Sequence, residues 1–428
     1  MFKLDGFHIG RHLILVTCNG IASMNLFRCL PIVCVLYLHV TFSTSYKILL
    51  VPLVQGSHVS CILAIARELG RRHHETHILV DEGYEVKEDT AAEMKQFNIT
   101  FVQIIDNRYN SKAETKELIE KVVHRMTSDV FPYKDLLEST SHWAESHAQL
   151  LFLENEPLIE KLNSAHYDLA VIDGMYCTKH FYLLAHRLGI PWITYTDYPD
   201  PWLMRVPWSP SIVPGKFSFQ SEKMSLIGRI SNVWFSNIAK LDEQIVKIPE
   251  NIITKYQRYG VFDSVVDLIE RSKFFILTSD IIIDSPKPIM PNMIEVGGLT
   301  TQPAKKLPED IQSFLDAAED GVILVSFGSM MSKFPDILLN KFLDAFNRID
   351  RHRIIWRMTN SSSKFQIPDF IKPGGWIPQN DILAHPKVKL FINHCGSNGQ
   401  FEALYHGVNI SLKTFFYIHI NISGVKLV

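Results

Sequence analysis

The stretch from residue 388 to residue 405 constrains the fold of this chain more than any other. Residues 388–393 (VKLFIN) combine branched and aromatic side chains, which is typical of a buried parallel strand. Residues 395–399 (CGSNG) are small enough for a tight turn, and residues 400–405 (QFEALY) have the pattern of a helix. A strand that passes through a small-residue turn into a helix is the repeating unit of α/β proteins.

The start of this helix predicts a site for a phosphate group. The first turn of a helix has backbone N–H groups without intrahelical partners and a partial positive charge, and both attract anions. His394, Ser397 and Asn398 therefore lie beside any phosphate bound there. Small-residue turns after strands are also common in α/β proteins that bind no phosphate, so a purely structural turn is the alternative.

Three further side chains have the chemistry that a nucleotide needs. Glu402 lies one turn further into the helix, where its carboxylate can accept hydrogen bonds from ribose hydroxyls. Trp376 offers a flat face for a base, and Gln379 has an amide donor and a carbonyl acceptor for the edge of that base. Aromatic ring, amide, phosphate site and carboxylate together indicate a nucleotide site.

The ordered segments WIPQ (376–379), HCGSNG (394–399) and FEALYHG (401–407) closely resemble the signature of the UDP-glycosyltransferases, in particular the animal glucuronosyltransferase-like branch. The resemblance implies a GT-B fold, in which two Rossmann-like α/β domains face each other. The C-terminal domain of that fold holds the UDP-sugar and the N-terminal domain holds the acceptor. One departure is Cys395, where the family usually has glycine.

The resemblance also implies roles for individual residues. Uracil would contact Trp376 and Gln379, and the ribose would contact Glu402. The diphosphate would lie against the residues at the start of the helix and against a serine after an earlier strand: His394, Gly396, Ser397, Asn398 and Ser329. Ser329 follows residues 322–327 (VILVSF), and a simple strand exit is the alternative for it.

The chain starts, after residue 45, as a Rossmann-like unit should. Residues 46–53 (YKILLVPL) have the pattern of a strand, residues 59–69 that of a helix, and residues 77–80 (HILV) that of the next strand. His58 lies in the first turn, where open α/β sheets bind their ligands, and is the candidate general base. A histidine that only caps the helix is the alternative. In the family that this chain resembles, the GSH sequence in this turn contains the catalytic histidine.

A catalytic histidine needs an acid to orient it, and Asp173 is the candidate. It ends a second buried strand, 167–172 (YDLAVI), again at the carboxyl end. An aspartate that only forms a turn is the alternative, but the acidic partner of the family aligns with Asp173. With His58 as base, a single displacement inverts the anomeric centre. The helix start and His394 stabilise the leaving UDP, so no metal ion is required and no cofactor beyond the UDP-sugar donor is expected.

Length and composition give the domain organisation. The 428 residues suggest at least two domains, and 43 basic against 45 acidic residues give no sign of nucleic-acid binding. The proline-rich stretch 285–288 predicts a boundary, so we expect an acceptor domain at 46–285 and a UDP-sugar domain at 286–428. Residues 192–213 have many aromatic residues and prolines, which indicates either the acceptor pocket or a packed crossing loop.

Residues 1–45 are expected to be an upstream extension and a signal peptide. The apolar run 26–42 is followed by Ser43, Thr44 and Ser45, which suit cleavage before Tyr46. A signal anchor is the alternative. The sequons at Asn98, Asn360 and Asn421 are compatible with a glycoprotein of the endoplasmic reticulum lumen or secretory pathway. The widely spaced cysteines indicate neither a disulfide scaffold nor a metal site.

The chain departs from the family pattern after residue 408. The family continues with a strand and an Asp-Gln pair that binds the sugar, whereas residues 414–428 (TFFYIHINISGVKLV) contain neither residue type. The UDP-sugar domain is therefore expected to be incomplete, without the membrane-spanning tail of the family.

Three functions follow. The first is a glycosyltransferase that moves glucuronate or another hexose to a small lipophilic acceptor. The second is a catalytically silent isoform that binds UDP or associates with full-length relatives, and the third is a secreted carrier of apolar ligands. The first requires turnover, the second requires UDP affinity without transfer, and the third requires ligand binding that is indifferent to His58.

Overall fold

Two parallel β-sheets form the framework of the computed structural model, and they follow each other along the chain. The structure describes residues 45–53, 56–82, 84, 88–106, 133–196, 200–215, 220–221, 223–245, 248–280, 284, 286–328, 334–349, 351–359, 366–394 and 396–412. Several predictions lie outside these residues: the signal segment 26–42, Ser329, Cys395, the sequons at Asn360 and Asn421, and the final residues 413–428.

Within the described residues, the first sheet has seven strands in the order β3-β2-β1-β4-β5-β6-β7. All its neighbouring strands run parallel. The strands are β1 (Lys47–Val51), β2 (Glu75–Asp81), β3 (Ile99–Ile104), β4 (Leu169–Asp173), β5 (Trp192–Thr196), β6 (Phe275–Leu277) and β7 (Met293–Glu295).

Helices connect these strands, as parallel pairing requires. They are α1 (Gly56–Arg71), α2 (Glu88–Gln96), α3 (Tyr133–Gln149), α4 (Glu156–Ser164), α5 (Phe181–Leu188), α6 (Leu226–Ile245), α7 (Glu250–Gln257) and α8 (Val265–Glu270). A π-helical turn, Leu150–Glu154, joins α3 to α4. A short 3₁₀ turn, Tyr176–Thr178, follows β4.

The second sheet has five strands among the described residues, in the order β10-β9-β8-β11-β12. Its strands are β8 (Val322–Ser326), β9 (Arg353–Arg357), β10 (Ile371–Gly374), β11 (Val388–Asn393) and β12 (Asn409–Leu412). Its helices are α9 (Glu309–Asp316), α10 (Asp336–Phe346), α11 (Gln379–Leu383) and α12 (Ser397–His406). These strands are also all parallel. Two sheets of parallel α/β units are the arrangement that the GT-B prediction required.

Both sheets reverse their strand order at an internal position. In the first sheet the chain runs outward from β1 to β3 and then returns to the other side of β1 with β4. In the second sheet the same reversal separates β8 from β11. The loops at the carboxyl ends of the two reversing strands diverge, which leaves a crevice where open α/β sheets bind ligands. The sheet order therefore marks two positions for functional side chains.

Buried apolar side chains stabilise both sheets. All five residues of β8 are buried, and so are the last four residues of β1. Such continuous burial is typical of parallel strands with helices on both faces. Helix α1 turns Val59, Ile62 and Ala66 toward its sheet, and the exposed fraction of each is at most 1%. Their spacing follows the helical repeat, which explains why a helix forms directly after β1.

The sequence predicted the central strands better than the edge strands. The prediction of residues 388–393 as a strand agrees with β11, and residues 322–327 contain β8. Strands β3, β7 and β10 were not predicted. Residues 192–196, assigned to a possible acceptor loop, instead form the buried strand β5 in the middle of the first sheet. The chain enters α4 through the π-helical turn at Leu150–Glu154, and the α-helix itself begins only at Glu156.

The predicted boundary at residues 285 and 286 falls inside the first sheet. Strand β7 comes after this position, yet Met293 pairs with Phe275 of β6. In the strand order, the first sheet ends after β7 and the second begins with β8. The prolines at 286 and 288 thus mark a connection between two neighbouring strands. Among the described helices, none is both long enough and apolar enough to cross a membrane.

A substitution at Trp356 tests the packing of the core beside the second sheet. This residue of β9 is fully buried, and its ring centroid lies 5.1 Å from Phe346 and 5.3 Å from both Phe334 and Phe342. We expect Trp356→Ala to lower the free energy of unfolding by about 3–5 kcal/mol, because it opens a large cavity. Urea denaturation measures this loss. The matched control is Trp376→Ala, since Trp376 is 59% exposed, and equal losses for both variants would contradict the described packing.

Candidate functional site

His58 and Asp173 form a hydrogen-bonded pair at the reversal point of the first sheet. His58 lies in the first turn of α1, just after β1, and Asp173 is the last residue of β4. Their atoms Nδ1 and Oδ2 are 2.7 Å apart. Strands β1 and β4 are neighbours, and Val51 pairs with Ile172. The parallel register therefore brings the two side chains together, as the sequence predicted.

Asp173 is held rigidly by the surrounding backbone. Its side chain is fully buried. The amide of Leu53 donates to Oδ2 and the amide of Met175 donates to Oδ1, both at 3.2 Å. The hydroxyl of Thr178 donates to the carbonyl oxygen of Asp173 at 2.6 Å. The two amide bonds satisfy a carboxylate that would otherwise be costly to bury.

The pairing with Asp173 decides which nitrogen of His58 can act as a base. When Nδ1–H donates to Asp173, Nε2 carries the lone pair that can accept a proton. The carboxylate also stabilises the imidazolium that forms after proton transfer. The side chain of His58 is 14% exposed, so the ring is mostly enclosed but still reaches the surface of the crevice. This arrangement is suited to general base chemistry.

The nucleotide-binding candidates Gln379 and Glu402 contact each other in the second half of the structure, which is built on the second sheet. Gln379 begins α11, Glu402 lies in the middle of α12, and the side-chain amide of Gln379 donates to Oε2 of Glu402 at 2.6 Å. The pKa of Glu402 is raised to about 7, chiefly by burial; the bond from Gln379 opposes the rise, and the nearby Asp381 contributes to it. Trp376 precedes this pair, and its side chain is 59% exposed. It therefore has surface available for stacking.

His394 is enclosed by two glycines at the reversal point of the second sheet. It follows β11, and its ring lies against the backbone of Gly328 and Gly396. A Cβ atom at Gly328 would lie 2.5 Å from Nε2 of His394, and one at Gly396 would lie 2.6 Å from the same atom. Neither distance is possible for a real side chain. Gly328 also has a φ of +79°, which favours glycine for a second reason.

The environment of His394 favours its neutral form. Burial lowers the pKa of His394, and the positive charge of Arg357 lowers it further. Its Nδ1 atom is buried and has no hydrogen-bond partner among the residues that the structure describes. A buried polar atom without a partner is rare in proteins. A ligand with hydrogen-bonding groups would satisfy it.

The start of α12 is open to an anion. Gly396 precedes the helix and provides no side-chain cap. The first intrahelical bond in this turn is donated by Gln400 to the carbonyl of Gly396 at 3.2 Å. The amides of Ser397, Asn398 and Gly399 come before it, so they belong to the unpaired first turn of a helix. These amides and the helix dipole lie where the sequence predicted a phosphate site.

Two residues at this site were not predicted from the sequence. Arg357 ends β9, next to β8, and burial lowers the pKa of its guanidinium. Its position at the carboxyl end of a strand, within the segment IIWRM, was the available signal. The second residue is Cys61 of α1, whose thiol donates to Oδ1 of Asn398 at 3.3 Å. Cys61 and Asn398 are 337 positions apart, so no local pattern could reveal their contact.

The contact between Cys61 and Asn398 places the two candidate sites opposite each other. Cys61 lies one helical turn after His58, and Asn398 lies in the first turn of α12. The candidate base and the candidate phosphate site thus belong to one cleft. Among the residues that the structure describes, no cluster of histidine, cysteine, aspartate or glutamate side chains is arranged to hold a metal ion.

Comparison with known proteins gives a consistent result. Residues 46–425 match the family described as UDP-glucoronosyl and UDP-glucosyl transferase. The chain is 29% identical to human 2-hydroxyacylsphingosine 1-beta-galactosyltransferase over 387 residues, which cover 89% of this chain and 68% of that protein. It is 26% identical to rat UDP-glucuronosyltransferase 1A1 over 424 residues, which cover 94% of this chain and 74% of that protein.

Solved structures show the same fold. The structure of Medicago truncatula UGT71G1 with UDP-glucose superimposes with a TM-score of 0.52 at 18% identity, covering 87% of this chain and 80% of that one. The structure of Arabidopsis thaliana UGT89C1 with UDP gives a TM-score of 0.52 at 15% identity, covering 86% of this chain and 79% of that one. These likenesses confirm the GT-B architecture.

The raised pKa of Glu402 has a testable effect on stability. Because its folded-state pKa of about 7 exceeds the ordinary value of 4.5, the folded protein keeps a proton that the unfolded chain releases in this interval. This contribution to stability is fully present below the ordinary value and is lost as the pH rises through the folded-state pKa. Glu402→Gln has no titrating carboxyl, so we expect its stability relative to wild type to increase across this window and then level off.

Urea denaturation of both proteins at a series of pH values measures this difference. The substitution keeps an oxygen that can accept the hydrogen bond from Gln379, so the comparison isolates the charge. A difference in the free energy of unfolding that is the same at every pH would show that the carboxylate of Glu402 is not destabilised by burial.

Proposed function

Because the chain belongs to the family of UDP-glucuronosyl and UDP-glucosyl transferases, we propose that it transfers a hexose from a UDP-sugar to the hydroxyl of a small lipophilic acceptor. Members of this family are hexosyltransferases. The observation that carries the proposal is the 2.7 Å hydrogen bond between His58 and Asp173. It orients a base on the side of the cleft opposite the phosphate site of α12.

In the proposed reaction, Nε2 of His58 removes the proton from the acceptor hydroxyl. The acceptor oxygen attacks the anomeric carbon of the sugar as the bond between that carbon and the oxygen of UDP breaks. The electron pair of the broken bond leaves with UDP, and the proton stays on His58. Asp173 stabilises the resulting imidazolium through Nδ1. One displacement of this kind inverts the configuration of the anomeric carbon.

The second half of the cleft stabilises the leaving group. Negative charge develops on the diphosphate as the bond breaks, and the amides of residues 397–399 and the dipole of α12 favour that charge. The Nδ1 atom of His394 supplies a further hydrogen-bonding group. The guanidinium of Arg357 adds a positive charge close enough to lower the pKa of His394. Stabilisation of this type is usually the largest contribution to catalysis.

The nucleoside is assigned to the remaining candidates. The exposed ring of Trp376 stacks on uracil, and Gln379 contacts the polar edge of the base. The carboxyl oxygens of Glu402 accept hydrogen bonds from the ribose hydroxyls. Ser329 is proposed as a further contact to the diphosphate, by resemblance to the family. In this assignment the base, the ribose and the diphosphate of the donor each contact a chemically different set of side chains.

The names of the relatives support the acceptor class. One relative is named for the transfer of galactose to 2-hydroxyacylsphingosine, and others are named as glucuronosyltransferases. The donor proposed for this chain is therefore UDP-glucuronate or another UDP-hexose. A lipid-like alcohol or another small apolar molecule with a hydroxyl is the proposed acceptor. Binding of UDP without any transfer would instead favour a catalytically silent chain that associates with other members of the family.

The proposed location is the lumen of the endoplasmic reticulum or the secretory pathway. The sequon at Asn98 supports it, because Asn98 is exposed in the turn before β3 and the threonine at position 100 is exposed as well. An oligosaccharide attached at Asn98 would project into solvent without disturbing the sheet. The other two sequons lie outside the described residues.

Paired substitutions test the proposed roles. We expect His58→Ala to lower kcat by about 10²–10⁴-fold, because it removes the general base, while the Kd for UDP measured by calorimetry stays unchanged. The double variant Trp376→Ala, His394→Ala should lose UDP binding. The matched control is His166→Asn, since His166 is exposed at the amino end of β4 and its φ of 52° suits asparagine. A His58→Ala variant with wild-type turnover would refute the assignment.

Glycosylation at Asn98 tests the location. In cells with a secretory pathway, Asn98→Gln should migrate faster on a gel than the wild type, because it lacks one oligosaccharide. Treatment with an N-glycosidase should abolish this difference. The control is Thr100→Ser, which keeps the sequon, against Thr100→Ala, which destroys it. Equal migration of the wild type and Asn98→Gln would contradict a glycosylated Asn98.

A further inference from the structure

Cys61 connects the helix of the candidate base to the helix of the candidate phosphate site. Its thiol is 3% exposed and lies 3.3 Å from Oδ1 of Asn398. A thiol is a weak hydrogen-bond donor, and the oxygen of an asparagine is an acceptor. The bond therefore runs from α1 to the first turn of α12. The general base chemistry requires no group at position 61, so the contact needs a separate explanation.

The two ends of an asparagine amide have opposite hydrogen-bonding properties. Oδ1 can only accept, whereas Nδ2 has two hydrogens to donate. A diphosphate accepts hydrogen bonds, so only the Nδ2 end of Asn398 can bind it. If the amide rotated by half a turn, its oxygen would face the anion and repel it. A thiol donor placed beside Oδ1 disfavours that rotation, because the bond it donates to Oδ1 would be lost.

We propose that Cys61 is a positioning residue for the UDP-sugar: its thiol fixes the amide of Asn398 so that Nδ2 donates to the diphosphate. This inference rests on the proposed function, since it takes the diphosphate as the ligand of Asn398. Cys61 acts through Asn398 and does not itself touch the donor. The same bond couples the donor to catalysis, because Cys61 and His58 lie three positions apart and so share one face of α1.

The contact between Cys61 and Asn398 is better suited to positioning a side chain than a second contact between the two halves of the structure, the ion pair of Lys305 and Glu93. Lys305 lies 3.6 Å from Glu93 of α2, but the side chain of Lys305 is 59% exposed. Exposed ion pairs contribute little, because water and salt weaken them. The bond of Cys61 is partly buried and Cys61 itself is only 3% exposed, so a polar group left without its partner there is costly. Loss of the thiol should therefore change the orientation of the Asn398 amide.

A packing role is the competing explanation. Cys61 belongs to an apolar cluster that also contains Val59, Ile62 and Ala66. Two substitutions separate the explanations. Cys61→Val keeps an apolar side chain of similar size but removes the donor. Cys61→Ser keeps a donor but is more polar, so it suits the hydrogen bond better than the apolar cluster.

Calorimetry with UDP, together with the KM for the UDP-sugar, distinguishes the two. We expect Cys61→Val to raise the Kd for UDP about two- to tenfold, the effect of one lost hydrogen bond, and Cys61→Ser to stay within about twofold of wild type. The opposite order, with serine the weaker binder, would overturn the positioning role in favour of packing. Equal Kd values for the wild type and Cys61→Val would also overturn it.

A double-mutant cycle shows whether the effect passes through Asn398. In the Asn398→Ala background, Cys61→Val should have no further effect on the Kd, whereas an additive loss would contradict the inference. The matched control is Lys305→Met, which removes the exposed contact between the halves and should leave UDP binding unchanged. Failure of the wild type to bind UDP would refute the proposed function itself. Binding by the wild type with an unaffected Cys61→Val would refute only this inference.

Discussion

The reversal of strand order in two parallel sheets is the constraint on which the described site depends. Because the strands of a parallel sheet all run in the same direction, their carboxyl ends lie on the same side of the sheet. At the reversal points, β1 lies beside β4 and β8 lies beside β11. Each pair brings together residues that are far apart in sequence: His58 with Asp173, and Gly328 with His394. The chemistry of the cleft is a result of this topology, since the helices and loops only supply the side chains.

Two buried carboxylates show how differently the fold treats a charge. Asp173 receives hydrogen bonds from two backbone amides and from the ring of His58. Glu402 accepts a hydrogen bond from the side-chain amide of Gln379 and lies near the like charge of Asp381. The better-supported carboxylate is the one proposed to hold a catalytic group in place. The carboxyl with fewer hydrogen-bond donors, Glu402, has a raised pKa.

The sequence predicted the parts of the fold that depend on local pattern. The apolar pattern of β11 and the small residues at the start of α12 are local features. Strand β11 forms where it was expected, and α12 begins at Ser397, three residues before the predicted helix. Strand β10 was missed because its sequence, IKPG, combines a proline with a glycine at a sheet edge. Strand β7 has three residues, which is too short for any periodicity to show. The pairing of distant residues such as Cys61 and Asn398 depends on how the two sheets face each other.

The glycines around His394 have a consequence for the diversification of such proteins. The imidazole occupies the volume that two absent side chains would fill, and these positions come from the ends of two neighbouring strands. Gly328, His394 and Gly396 therefore depend on one another, although 65 residues lie between Gly328 and His394 in the sequence. A chimaera that joins β8 of one relative to β11 of another will keep its cleft only if the glycine and the histidine are transferred together.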